Sequence, residues 1–247
     1  MINFPHYKWD LDIVLFFNQF CQKSLVLDTI ALVFLSVDAL RTAILVALII
    51  GIWNYGKVRN DPDANKQVIF ILFSILLTLS IIEILNALIQ SPRPIVAYEN
   101  LIQTPLTTNN TVELWRDGWA RNSKHGSFPS DTVALLSAMA SGIFFWKRRL
   151  GVLSILFVIF AGVLPRLYFG LHYFSDMFIG FLIALLSTFL INRASFFTRL
   201  SNILLSLDTR FPYGFGVLGF YLAYIISDKF ILIRKLPLWL KSMFGNQ

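Results

Sequence analysis

Apolar runs long enough to cross a bilayer occupy most of this 247-residue chain, and nothing else in it restricts the fold as much. Crossing a hydrocarbon layer of about 30 Å takes roughly 20 apolar residues in a helix. Runs that approach or meet that length lie at about 38–55, 68–90, 133–146, 150–164, 173–192 and 213–226. Backbone N–H and C=O groups find no water in lipid, so each run is expected to be helical. Charged residues make up 14% of the chain and hydrophobic ones 56%, whereas a soluble domain carries about 25% charged. The expected architecture is all-α: a polytopic integral membrane bundle of about six spans. It forms a single membrane-embedded domain over residues 1–247.

Two N-terminal pieces fall short of a span. Residues 9–23 mix Trp9, Phe16, Phe17 and Phe20 with Asp10, Asp12, Asn18 and Gln19, which suits a helix lying in the interface. Residues 25–37 are apolar but short, and a half-buried or re-entrant helix is expected there. The net charge of +7 clusters in short loops. That distribution points to topology and anionic lipid, and away from nucleic acid. Lys57, Arg59, Lys66, Lys147, Arg148, Arg149, Arg193 and Arg199 fall at one end of the expected bundle, which the positive-inside rule makes cytoplasmic. The basic tail with Lys229, Arg234, Lys235 and Lys241 then lies outside, unless the last run does not cross. Cys21 has no second cysteine with which to form a disulfide. The opening residues lack the pattern of a cleavable signal peptide.

Polar groups that interrupt such runs need a reason. Arg166, His172 and Asp176 stand between two apolar runs. If a helix begins near His172, the imidazole and the Asp176 carboxylate share one face, and the carboxylate can hold the ring in one tautomer. Arg166 can then reach a phosphate held near the imidazole. A plain structural role fits the same residues: an arginine snorkelling to the headgroups, and a His and an Asp at a helix start. Glu83, Asn86 and Gln90 form a polar stripe that faces either a functional cavity or a neighbouring helix. It leads to Ser91-Pro92-Arg93-Pro94, where proline fixes the backbone on both sides of the arginine. A headgroup-side loop, 95–129, carries Trp115, Trp119, Arg121, Lys124 and His125. It ends in Gly126-Ser127-Phe128-Pro129-Ser130-Asp131-Thr132, where Ser130 and Asp131 are expected to cap a helix whose first N–H groups make an anion site. Following the chain through the spans puts Arg93, Ser130, Arg166 and His172 on one side of the membrane.

In these three stretches the chain resembles the type 2 phosphatidic acid phosphatase superfamily of integral membrane phosphatases, and in particular its bacterial undecaprenyl-diphosphate phosphatase-like members. The motifs fall within about residues 83–180. The family's first motif is a Lys, six residues, then Arg-Pro; Arg93-Pro94 matches, and Asn86 stands at the Lys position. The second is Pro-Ser-Gly-His or Pro-Ser-Asp-His; here it is Pro129-Ser130-Asp131-Thr132, with Thr in place of His. The third is an Arg, five residues, His, three residues, Asp, which Arg166, His172 and Asp176 match in full.

The resemblance implies that His172 attacks phosphorus to form a phosphohistidine, with Asp176 orienting and charging the ring. It implies that Arg93 and Arg166 clamp the phosphoryl oxygens while Ser130, Asp131, Thr132 and adjacent N–H groups complete the cradle. No metal or other cofactor is expected. The two departures bear on substrate. A hydroxyl is too weak an acid to replace the missing His, and general acid help is worth about 100- to 10,000-fold. An alkoxide leaving group suffers most from that loss and a leaving phosphate least. The expected substrate is therefore a phosphoanhydride, which the resemblance makes an isoprenoid diphosphate, undecaprenyl diphosphate first, in a bacterial inner membrane with the site facing away from the cytoplasm. Glu83, Asn86, Lys124 and His125 are candidate accessory residues. Two other readings use the same site: a phosphotransferase that passes the phosphoryl group to a lipid acceptor such as lipid A, and a lipid-binding relative that has lost turnover.

Overall fold

The computed structural model describes residues 2–3, 6–104 and 126–227. The fold is all-α and membrane-embedded. Its elements are β1 (Ile2–Asn3), α1 (Lys8–Asn18), α2 (Leu25–Ser36), α3 (Asp38–Arg59), α4 (Pro62–Leu88), β2 (Ile89–Gln90) and α5 (Pro94–Ala97). After residues 105–125 come α6 (Asp131–Trp146), α7 (Arg148–Val158), a π-helical turn at Ile159–Val163, α8 (Leu164–Tyr168), α9 (Phe174–Arg193), α10 (Ser195–Arg210) and α11 (Pro212–Ser227). Among the described residues four helical stretches are long and apolar enough to cross a membrane: Leu40–Arg59, Pro62–Leu88, Arg148–Tyr168 and Phe174–Arg193. Leu25–Ser36, Asp131–Trp146 and Pro212–Ile226 are apolar but shorter.

The centre of the bundle is α6. At 1.5 Å per residue its 16 residues reach only about 24 Å. Every residue from Thr132 to Ile143 is buried, because α4, α7 and α9 surround it. Its small residues allow the neighbours close: a Cβ on Gly142 would sit 2.2 Å from Cγ1 of Ile71 on α4. Such approach is how helices gain contact where lipid removes the hydrophobic drive between them.

The stretch 56–66 is more helical than its prolines and charges suggest. Asn60 ends α3 in the left-handed region with φ of 52°. The Asp61 carboxylate accepts from the Asp63 and Ala64 N–H groups, and Pro62 occupies the first position of α4, where a missing N–H costs nothing.

The N-terminal helix also differs from a simple interfacial helix. On α1 it is Asp10, Val14 and Asn18 that are buried, while Trp9 and Phe16 are exposed. The polar edge faces protein because it has partners there. Asn18 donates to the carbonyls of Gln103 and Tyr168 at 2.9 and 2.8 Å and accepts from Gln103 N–H at 2.8 Å. On α2, Asp28 accepts from the Tyr168 hydroxyl at 2.5 Å. Both N-terminal helices are thereby tied to the segment that carries Arg166 and His172.

Candidate active site

Three sequence-distant stretches meet at one end of the bundle, joined through their backbones. Ser127 N–H donates to the Ser91 carbonyl at 2.7 Å, Ile95 N–H to Gly170 at 2.9 Å, and Ser130 N–H to Asp176 at 3.2 Å. The last contact needs a close approach of α9 to the head of α6. A Cβ on Gly180 would lie 2.9 Å from the Ser130 carbonyl oxygen, so glycine is required there.

Helix α9 begins at Phe174, so His172 precedes it and is not on its face. The imidazole Nδ1 donates to the Ser127 carbonyl at 2.8 Å. A carbonyl only accepts, so the proton is on Nδ1 and the Nε2 lone pair is left for chemistry. The nearest Asp176 oxygen is 3.7 Å from Nδ1, too long for a hydrogen bond. The tautomer expected to be set by Asp176 is set instead by a main-chain carbonyl, and the carboxylate contributes charge. Asp176 Oδ2 is itself held by the Ser127 hydroxyl at 2.6 Å and the Tyr173 N–H at 3.0 Å. Burial holds the His172 imidazole below its ordinary value. Asp176 opposes that shift, and the positive charges of Arg93 and Arg166 add to it.

Arg166 is buried in the last turn of its span, with Nη1 donating to the Gly162 carbonyl at 2.8 Å. The π-helical turn makes this possible: Leu164 N–H reaches back to Ile159, shifting the hydrogen-bond register just before Pro165. Arg93 precedes α5 in an extended conformation and is half-buried. Ser130 is fully buried, does not cap α6 with its side chain, and among the described residues its hydroxyl has no hydrogen-bond partner. Asp131 instead accepts from the Thr132 N–H at 2.7 Å. Two guanidinium groups, an unpartnered buried hydroxyl and an imidazole with a free lone pair can together bind and attack a tetrahedral oxyanion.

The sequence profile of the PAP2 superfamily matches residues 67–199, more than half of the chain. The chain belongs to the PAP2 superfamily. No curated protein and no solved structure matches it. PAP2 membership supports a phosphatase-type activity on lipid phosphates.

Within this PAP2 chain not every candidate joins the cluster. Glu83 is exposed and Asn86 only half-buried on the last turns of α4, while Gln90 is exposed on β2, so the expected stripe does not line a bundle interior. Lys124 and His125 lie outside the described residues. Several residues at the site had no assigned role. Ser91 and Ser127 are buried beside Asp176, and His6 and Asp10 come from the N-terminal segment. Arg41 is almost fully buried, donates to the Phe34 carbonyl and the Asp38 carboxylate, and lies within electrostatic reach of Arg166 and Asp131. The spacing of Asp10, Val14 and Asn18 on one helix face was the sequence sign of the α1 contacts, and the aromatic residues around it mask it.

Proposed function

We propose that this PAP2 protein is a lipid phosphatase that removes the terminal phosphate of an isoprenoid diphosphate, undecaprenyl diphosphate first. The observation that carries the reading is the fixed Nδ1 proton of His172, which leaves Nε2 as the nucleophile beside Arg93 and Arg166. Attack by Nε2 on the terminal phosphorus forms an N–P bond and breaks the P–O bond to the lipid monophosphate. The positive charge gained by the ring is balanced by Asp176, and the two arginines with Ser130 hold the equatorial oxygens. Water then attacks the phosphohistidine phosphorus, releasing phosphate and restoring neutral His172.

Thr132 in place of an acidic group at the head of α6 favours a leaving group that needs no proton, which a lipid monophosphate is and an alkoxide is not. An apolar cleft of about 130 Å³ between α2 and the π-helical turn with α8, lined by Leu27, Phe34, Phe160 and Pro165, suits a hydrocarbon chain. Lys57 and Arg59 in the last turn of α3, and Lys147 to Arg149 at the α6–α7 junction, lie at the opposite helix ends from His172. That arrangement supports a site on the extracytoplasmic face of a bacterial inner membrane.

The test is phosphate release in detergent from a long-chain polyprenyl diphosphate and from phosphatidic acid, with and without His172→Ala. Release from the diphosphate in preference to the monoester, lost at least about a thousandfold in His172→Ala, is expected. Equal release from both lipids removes the leaving-group argument. Labelled phosphate that moves to an acceptor lipid instead of water identifies a phosphotransferase.

A further inference from the structure

The N-terminal segment is held against the catalytic end by more than its helix. Ile2 and Asn3 pair in parallel with Ile89 and Gln90, immediately before the Ser91-Pro92-Arg93-Pro94 stretch. This directs His6 inward. Its ring stacks on Tyr173 with centroids 3.5 Å apart and planes 17° from parallel. Its Nε2 is 2.5 Å from the Ser91 hydroxyl and 3.9 Å from Asp176 Oδ1, while its Nδ1 is 3.2 Å from Asp10 Oδ2.

Hydrogen-bond directions along this chain can be assigned from the inventory of donors. Ser127 donates its only hydroxyl proton to Asp176 Oδ2. Ser91, 3.3 Å from Ser127 Oγ, is the donor where that contact is made. Ser91 then accepts from His6, which places a proton on Nε2. On the other side Asp10 Oδ2 only accepts, and it also takes the Ser175 hydroxyl, so Nδ1 of His6 carries a proton as well. In this arrangement both ring nitrogens act as donors, and the ring stands between two carboxylates, Asp10 and Asp176.

We propose that His6 is a positioning residue for the catalytic end: a cation supplied by the N-terminal segment that closes the chain His6–Ser91–Ser127–Asp176 and balances the Asp176 charge behind His172. This rests on the reading of His172 as the nucleophile. It does not make His6 a substitute for a proton donor at Thr132, because its hydrogen bonds with Asp10 and Ser91 lie on the carboxylate side of His172.

Among the described residues, the groups that face His6 include Asp10 on α1, Ser91 after β2, and Tyr173, Ser175 and Asp176 at the head of α9; Arg93 and Arg166 act electrostatically on His172. Hydrogen bonds from His6 and Ser175 outweigh the effect of burial on Asp10 and hold its carboxyl below the ordinary value, so Asp10 stays charged through the neutral range. With His6 removed, Asp176 acts on His172 uncompensated and favours the imidazolium.

The experiment uses the full chain in detergent with labelled imidazole carbons. The three histidines, His6, His125 and His172, make assignment by substitution direct. His6→Phe keeps the stack on Tyr173 and loses both N–H groups; His6→Gln keeps a donor but not the charge. In His6→Phe the His172 titration midpoint is expected to rise by about one pH unit. The acid limb of kcat for phosphate release should rise with it, and both shifts should be smaller in His6→Gln. An unmoved His172 midpoint in both folded variants overturns the proposal, whatever happens to kcat. A rate loss that grows with the basicity of the leaving group overturns it too, since His6 would then act at the leaving oxygen. If the wild-type protein releases no phosphate from any lipid, the nucleophile reading fails separately, and the midpoint still decides whether His6 acts on His172 and Asp176.

Discussion

Behind His172, on its Nδ1 side, the described residues form a hydrogen-bonded polar chain. The ring proton meets the Ser127 carbonyl, Asp176 is held by Ser127 and the Tyr173 N–H, and Ser91, His6 and Asp10 stand behind them. The proposed phosphate cradle is built differently. It has Arg93, Arg166 and an unpartnered Ser130 hydroxyl, with Asn86 and Thr132 at positions where the family pattern has a Lys and a His. One region holds the proposed nucleophile through several hydrogen bonds, and among the described residues the other has fewer. The contrast teaches where this site's chemistry is concentrated. In the proposed mechanism the imidazole is the better supported group, while the described residues at the head of α6 offer no general acid, which suits a substrate whose leaving group is already stable as an anion.

The sharpest way to break this contrast is at the cradle. Arg166→Ala removes a buried cation that no exposed lysine can replace, and kcat/KM for a polyprenyl diphosphate is expected to fall about a thousandfold in a steady-state phosphate assay. Asp176→Asn probes the other region. Because the Ser127 carbonyl holds the tautomer, the loss in kcat should be nearer a hundredfold than the roughly ten-thousandfold seen when a carboxylate alone sets it. Its pH profile has a defined sign. The buried His172 already lies below the ordinary imidazole value of 6.5, and Asp176 is the group pulling it upward. Neutralising that carboxylate should move the acid limb further down, opposite to the movement expected for His6→Phe. The smallest effect is a gain. Thr132→His restores a proton donor, and should raise turnover of a monoester such as phosphatidic acid about tenfold or more while leaving the diphosphate nearly unchanged.

Much of this was legible in the chain because membrane physics leaves few options. Length and apolarity gave the all-α class, and the spacing of Arg166, His172 and Asp176, with Arg93-Pro94 and Pro129-Ser130, marked the stretches that meet. Local pattern could not carry the rest. Glu83 and Asn86 share a helix face with Gln90 only if the helix continues, and it ends at Leu88. The partner of His172 Nδ1 is a main-chain carbonyl, which no side-chain pattern reports. His6 and Asp10 reach the site through a two-residue pairing with the chain more than eighty positions away, and aromatic neighbours gave α1 the look of an interfacial helix with its polar edge turned to solvent. The short α6 escaped the length rule because protein, not lipid, surrounds it.

The most direct test of His172 as the nucleophile is to trap the intermediate. The full chain is mixed with a polyprenyl diphosphate labelled in its terminal phosphate, quenched within the first turnover, and digested. The expected label is acid-labile and base-stable, on the peptide carrying His172, and absent from His172→Ala. Turnover by the wild-type protein with no label on that peptide under conditions that preserve phosphohistidine would contradict it.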